Sequence, residues 1–78
     1  MNTDNNKISN KICRKVKLER NKKGLSQQEL AMTAGLNKNT IWKIETGQMS
    51  PTIQTLEKIA NALELDFMTL MDVSKIEL

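Results

Sequence analysis

The sequence predicts an all-α fold, a compact bundle of five helices. Three observations predict it: apolar residues recur at spacings of three and four, no run alternates apolar with polar residues as a half-buried strand does, and capping signals recur ahead of the apolar runs. At 78 residues the chain has room for one domain, near the lower limit for a hydrophobic core that stands unaided. Below roughly 80 residues a disulfide, a metal or oligomerisation commonly supplements the core. Cys13 is the single cysteine and histidine is absent, which excludes an internal disulfide and leaves no zinc cluster. Oligomerisation is the support that remains.

The first helix is expected over Lys7 to Lys22, with Ile8, Ile12, Cys13 and Val16 on one side and Gly24 ending it. Leu18 and Glu19 fit that apolar side poorly. Ser26, Gln27, Gln28 and Glu29 form a capping box that opens the second helix, and Leu25 and Leu30 stand at hydrophobic-staple spacing around it. The same order of staple, cap and partner recurs as Leu36, Asn37 and Ile41 for a third helix, and as Leu65, Asp66 and Leu70 for a fifth. Pro51 and Thr52 open the fourth, whose Ile53, Leu56, Ile59, Ala60 and Leu63 form a core stripe. Short connections leave few loops in which a catalytic site could sit.

Charge is unevenly distributed. The formal charge is +3, but residues 1 to 45 hold ten Lys/Arg against four Asp/Glu, and residues 46 to 78 hold two against five. A basic half beside an acidic half suggests that one side meets a polyanion. Between Gln27 and Thr46 the chain reads QQELAMTAGLNKNTIWKIET. Ala31 is small where two helices must approach, Gly35 four residues on can take a positive φ in a tight turn, and Ile41 and Ile44 follow at helical spacing. This is a helix-turn-helix spacing. With Leu30, Ala34, Leu36, Ile41 and Ile44 turned inward, a rotation of 100° per residue sends Lys38, Asn39, Trp42 and Lys43 outward. Lysine donates to guanine, asparagine pairs with adenine, and an aromatic ring contacts a thymine methyl or a sugar. Thr40 and Lys43 suit phosphate contacts equally well. The bland alternative for Trp42 is packing on the stem of Lys38 or Lys43.

The segment from about Ile12 to Met71 resembles the phage-repressor (Cro/C1-type, XRE) helix-turn-helix family. The resemblance rests on VKLERNKKGLSQQELA (16 to 31), AGLNKNTIWKIETG (34 to 47) and SPTIQTLEKIANALEL (50 to 65). It implies a bundle of the lambda-repressor-like type, a structural salt bridge between Arg20 and Glu45, and a DNA phosphate on Gln27, with Gln28 beside it. A helix N-terminus favours an anion there independently. It further implies that Asn37, Lys38, Asn39 and Thr40, with Lys43 one turn on, enter the major groove. Two departures stand out: Trp42 is bulkier than the family's usual residue, and Glu64 stands where a glycine often closes the fourth helix. The chain then divides into a polar lead-in over 1–10, a domain over 11–72 with its motif at 27–46, and a tail over 73–78.

Function follows as an expectation: a sequence-specific regulator of transcription, expected to act as a repressor, binding a palindromic double-stranded operator as a homodimer with helix 38–45 in the major groove. Lys7, Lys11, Arg14, Lys15, Lys17, Lys22 and Lys23 supply a reservoir of phosphate contacts. The apolar C-terminal residues exceed what a short core requires, so Phe67, Leu70, Met71, Val73 and Ile76 are the expected dimer surface. Cys13 is expected as a small buried hydrophobe. No cofactor or metal is implied, and catalytic histidines, a glycine-rich phosphate loop and paired carboxylates beside a nucleophile are missing, which argues against an enzyme. Met1 to Asn6 is polar and no run reaches membrane-spanning length, so the expected place is the cytoplasm, associated with the nucleoid when DNA is bound. The alternatives are an antitoxin-type or other partner-binding module on the same scaffold and a restriction-modification controller protein.

Overall fold

A computed structural model describes residues 7–76, all of it helix, turn and loop. Met1 to Asn6 of the expected lead-in and Glu77 and Leu78 of the tail lie outside these residues. Five helices follow in order: α1 (Lys7–Lys23), α2 (Gln27–Ala34), α3 (Lys38–Glu45), α4 (Ile53–Ala62) and α5 (Phe67–Met71). Residues 7–10 thus belong to α1. The polar N-termini of three helices are closed by side chains. The Ser26 hydroxyl accepts from the Glu29 amide at 3.0 Å while the Ser26 amide donates to the Glu29 carboxylate at 2.8 Å. Asn37 Oδ1 accepts from the Thr40 amide at 2.9 Å, and Thr52 Oγ1 from the Thr55 amide at 3.1 Å. Each bond satisfies an amide that the helix itself leaves unpaired.

Val16, Leu30, Ile41, Ile44, Ile59, Leu63 and Leu70 are fully buried and form the centre of one core. Around it α2 packs on α3 and α4, α1 on α3 and α5, and α4 on α5. Cys13 is buried with them; its thiol points at the Met49 carbonyl, and burial raises its pKa above the ordinary value. A protonated, enclosed thiol is a packing group.

Several expectations need correction. Leu70 has no exposed surface, so it belongs to the core and is unavailable to a dimer surface. Ile8 and Ile53 fit the apolar stripes by spacing, yet they are 62% and 65% exposed. Both lie in the first turn of their helices, where periodicity continues and the neighbouring elements give no cover. Asp66 takes the cap position of α5 with extended backbone but makes no side-chain cap bond. That short helix is secured at its other end instead. Lys15 Nζ, buried against it, donates to the carbonyls of Thr69 and Asp72 at 2.7 Å each. An ammonium among the last carbonyls of a helix satisfies orphan acceptors and complements the helix dipole. Lys15 is therefore withdrawn from the phosphate reservoir.

At the end of α4, Glu64 adopts φ +60°, the one non-glycine residue with positive φ among the described residues. The turn is closed by the Leu65 amide on the Ala60 carbonyl at 2.9 Å. The position demands what glycine supplies without steric penalty.

Candidate nucleic-acid interface

The interface is built from the turn between α2 and α3. Gly35 caps α2 with φ 73°, and the Leu36 amide returns to the Ala31 carbonyl at 2.8 Å. Ala31 is buried close to that turn, and Leu36 packs on the core. Asn37 then starts α3, whose Ile41 and Ile44 are sealed in the core. Their burial fixes the rotation of the helix. Lys38, Asn39, Trp42 and Lys43 consequently face solvent, with Trp42 at 42% exposure. An indole this exposed, with a hydrogen-bond donor at its edge, is a ready contact for a flat or apolar partner surface.

Thr40 is half-buried, and its hydroxyl proton goes to Asn37 Oδ1 at 3.2 Å, alongside its backbone amide. The Asn37 carbonyl oxygen is thus committed to the cap, and its NH₂ group is the part left to meet a ligand. Thr40 retains acceptor capacity only, which suits a base-edge donor better than a phosphate oxygen.

Arg20 anchors the arrangement. Its Nε donates to Glu45 Oε2 at 2.7 Å, its Nη2 to Glu45 Oε1 at 3.0 Å and its Nη1 to the Leu25 carbonyl at 2.7 Å. The Glu45 side chain is 2% exposed. A bidentate, charge-assisted pair of this kind fixes orientation as well as distance, so α1, the α1–α2 loop and the end of α3 are held as one unit. Gln27, first residue of α2, joins it by donating from Nε2 to Glu45 Oε1 at 3.1 Å. Its second amide proton remains for an anion at the helix N-terminus. Gln28 is exposed beside it. The structure therefore gathers Gln27, Gln28, Asn37, Lys38, Asn39, Thr40, Trp42 and Lys43 on two adjoining helices.

The C-terminal residues sit apart from α3. Phe67, Met71, Val73 and Ile76 are half-buried, and Met68 is 74% exposed. Met68 stands two residues from the buried Leu70, on the opposite side of α5. Asp72 lies at the end of α5, its carboxyl held below the ordinary value by hydrogen bonds from Ser74. Among the described residues, no group of His, Cys, Asp and Glu side chains forms a metal-binding cluster and no helix is long and apolar enough to cross a membrane.

The chain resembles proteins of known function over most of its length. The helix-turn-helix family HTH_3 matches residues 16–70. The transcriptional regulator SinR of Bacillus subtilis is 40% identical over 62 residues, covering 78% of this chain and 56% of the regulator. SlrR of the same organism is 37% identical over 62 residues, covering 78% and 41%. The chain spans about half the length of these relatives. Among solved structures, the restriction-modification controller protein C.AhdI of Aeromonas hydrophila superposes with a TM-score of 0.74 at 32% identity, over 77% of this chain and 91% of that one. An HTH_3 family transcriptional regulator of Vibrio cholerae gives 0.79 at 36%, over 86% and 39%. A point variant of the controller protein C.Esp1396I gives 0.84 at 28%, over 88% and 91%. With more than half of its residues matched, this chain belongs to the HTH_3 family of helix-turn-helix proteins, the Cro/C1 (XRE) type.

Proposed function

We propose that the protein is a sequence-specific, double-stranded-DNA-binding regulator of transcription that inserts α3 into the major groove. The observation that carries this reading is the outward face of α3: two lysines, an asparagine and a tryptophan on a helix immobilised by the Arg20–Glu45 pair. Lys38, Asn39, Trp42 and Lys43 read base edges and the thymine methyl, while Gln27, Gln28 and the amides of the α2 N-terminus take a phosphate. Asn37 and Thr40 contribute an amide donor and a hydroxyl acceptor at the point where α3 enters the groove. The naming of the relatives as transcriptional regulators supports the same reading.

The protein acts as a homodimer on a palindromic operator, its two α3 helices roughly 34 Å apart in successive major grooves. The dimer surface is formed by Phe67, Met71, Val73 and Ile76 with Met68, on the acidic half of the chain. Binding within a promoter excludes polymerase, hence repression. The working place is the cytoplasm, on the nucleoid when DNA is bound, and neither cofactor nor enzymatic activity enters the mechanism. A second reading, a restriction-modification controller, is favoured by one observation: two such controllers are each matched over 91% of their length.

Footprinting on the DNA upstream of its own gene, with wild type and Asn39→Ala side by side, tests the proposal. A protected two-fold-symmetric site that the variant fails to protect is expected. Absence of protection at any salt concentration would turn the argument to a partner-binding module, antitoxin-type or other, on this scaffold.

A further inference from the structure

Two flanks of α1 differ in what their cations meet. At 100° per residue, Asn10, Arg14 and Lys17 lie along one flank of the helix at i, i+4 and i+7, and Lys15, Glu19 and Lys22 lie along the other. Lys11 lies on the second flank too, half-buried one turn before Lys15, and the other two cations there are occupied. Lys15 is bound to the end of α5 and lies 3.8 Å from Glu19, and Lys22 lies 3.6 Å from Glu19. Lys23, near the helix end, pairs with Glu64. On the first flank, Arg14 and Lys17 are exposed and have no acidic partner within 4 Å among the described residues.

Those two free cations border an open cleft of about 490 Å³ whose opposite wall is Glu45, Thr46 and Gly47, the end of α3. Thr46 stands seven residues after Asn39 and three after Lys43, so this wall continues the outward face of α3. Glu45 puts no unpaired charge into the cleft, because Arg20 and Gln27 occupy its carboxylate. The carbonyls of Trp42, Lys43 and Ile44 are likewise taken, by the amides of Thr46, Gln48 and Gly47. The field over the cleft is that of Arg14 and Lys17.

We infer that Arg14 and Lys17 contact the DNA sugar-phosphate backbone flanking α3, and that Lys15, Lys22 and Lys23 do not. The inference rests on the proposal that α3 enters the major groove, and it separates a DNA-facing pair, Arg14 and Lys17, from a structural set, Lys15, Lys22 and Lys23. Such contacts position the protein and strengthen binding without reading sequence. Each phosphate neutralised by a cation steepens the dependence of log Kobs on log salt by about 0.9 on duplex DNA.

The test measures that slope on the footprinted operator and on random duplex for wild type, the Arg14→Gln/Lys17→Gln double variant, the charge-preserving Arg14→Lys/Lys17→Arg variant, and Lys22→Gln. The double variant is expected to flatten the slope by about 1.8, two contacts' worth, with the operator-to-random ratio unchanged. The charge-preserving variant and Lys22→Gln are expected to keep the wild-type slope. A wild-type slope in the double variant overturns the inference while leaving the α3 reading intact, as does flattening by Lys22→Gln of about 0.9, one contact's worth. Wild-type protein that binds no duplex at all overturns both.

Discussion

Replacing Arg20 by methionine retains much of the apolar stem and removes the guanidinium. Three hydrogen bonds go with it, two on the Glu45 carboxylate and one on the Leu25 carbonyl. The Glu45 side chain, 2% exposed, keeps only the Gln27 amide as a partner. Removing one member of a buried pair strands the other in a medium that solvates it poorly, which costs about 3 to 5 kcal/mol. For a domain of this size each kcal/mol moves Tm by roughly 4 to 8 °C, so a drop of at least about 12 °C is expected. The Arg20→Met/Glu45→Met double variant removes both charges and should be more stable than Arg20→Met alone, since no carboxylate is left stranded. Thermal unfolding followed by circular dichroism, with all four members of the cycle, measures both quantities. A loss below about 1 kcal/mol in Arg20→Met, the range of a surface pair, would refute the view that this bridge joins α1 to α3 as one unit.

Other consequences are open to direct measurement. Lys15→Met should destabilise the fold by about 2 kcal/mol, the scale of a hydrogen bond from a charged donor, and speed amide exchange in α5 more than in α2 or α3. Glu64→Gly should raise Tm, because the residue sits at φ +60° and its ion pair with Lys23 is exposed. Lys23, through a hydrogen bond and its charge, holds the Glu64 carboxyl below its ordinary value of 4.5. That contribution to stability is complete above pH 4.5 and is lost as pH falls through the depressed folded-state value, so Glu64→Gln should show a flatter acid limb of Tm against pH. Met71→Glu should shift sedimentation equilibrium toward monomer; an unchanged dimer would place the interface elsewhere.

The features legible in the sequence are those decided locally. The Ser26–Glu29 box and the Asn37 cap are short-range bonds, so residue type and spacing alone locate the starts of α2 and α3. The outward face of α3 follows from Ile41 and Ile44, because one buried pair sets the rotation of eight residues. Features decided by distant elements were not legible. Lys15 reads as one more surface lysine until α5 arrives beside it, 54 residues away in sequence. Ile8 and Ile53 obey the helical period, but the period says nothing about where the covering elements stop. Leu70 reads as one of a run of apolar C-terminal residues, and only the packing of α5 on α1 and α4 shows it to be core. Asp66 has the right residue type at the cap position and makes no cap bond. The division of the α1 cations is an intermediate case: the helical period separates the flanks, but only the fold shows which flank adjoins α3.

The central claim is that the exposed face of α3 reads base sequence. It is tested most directly by the ratio of dissociation constants for operator and random duplex, at one fixed salt concentration, in wild type, Asn39→Ala and Lys43→Ala. Loss of a bidentate base contact removes about 1 to 3 kcal/mol of discrimination, so the ratio should fall by roughly 5- to 150-fold in at least one variant. An unchanged ratio in both would contradict the assignment of α3 as the reading element.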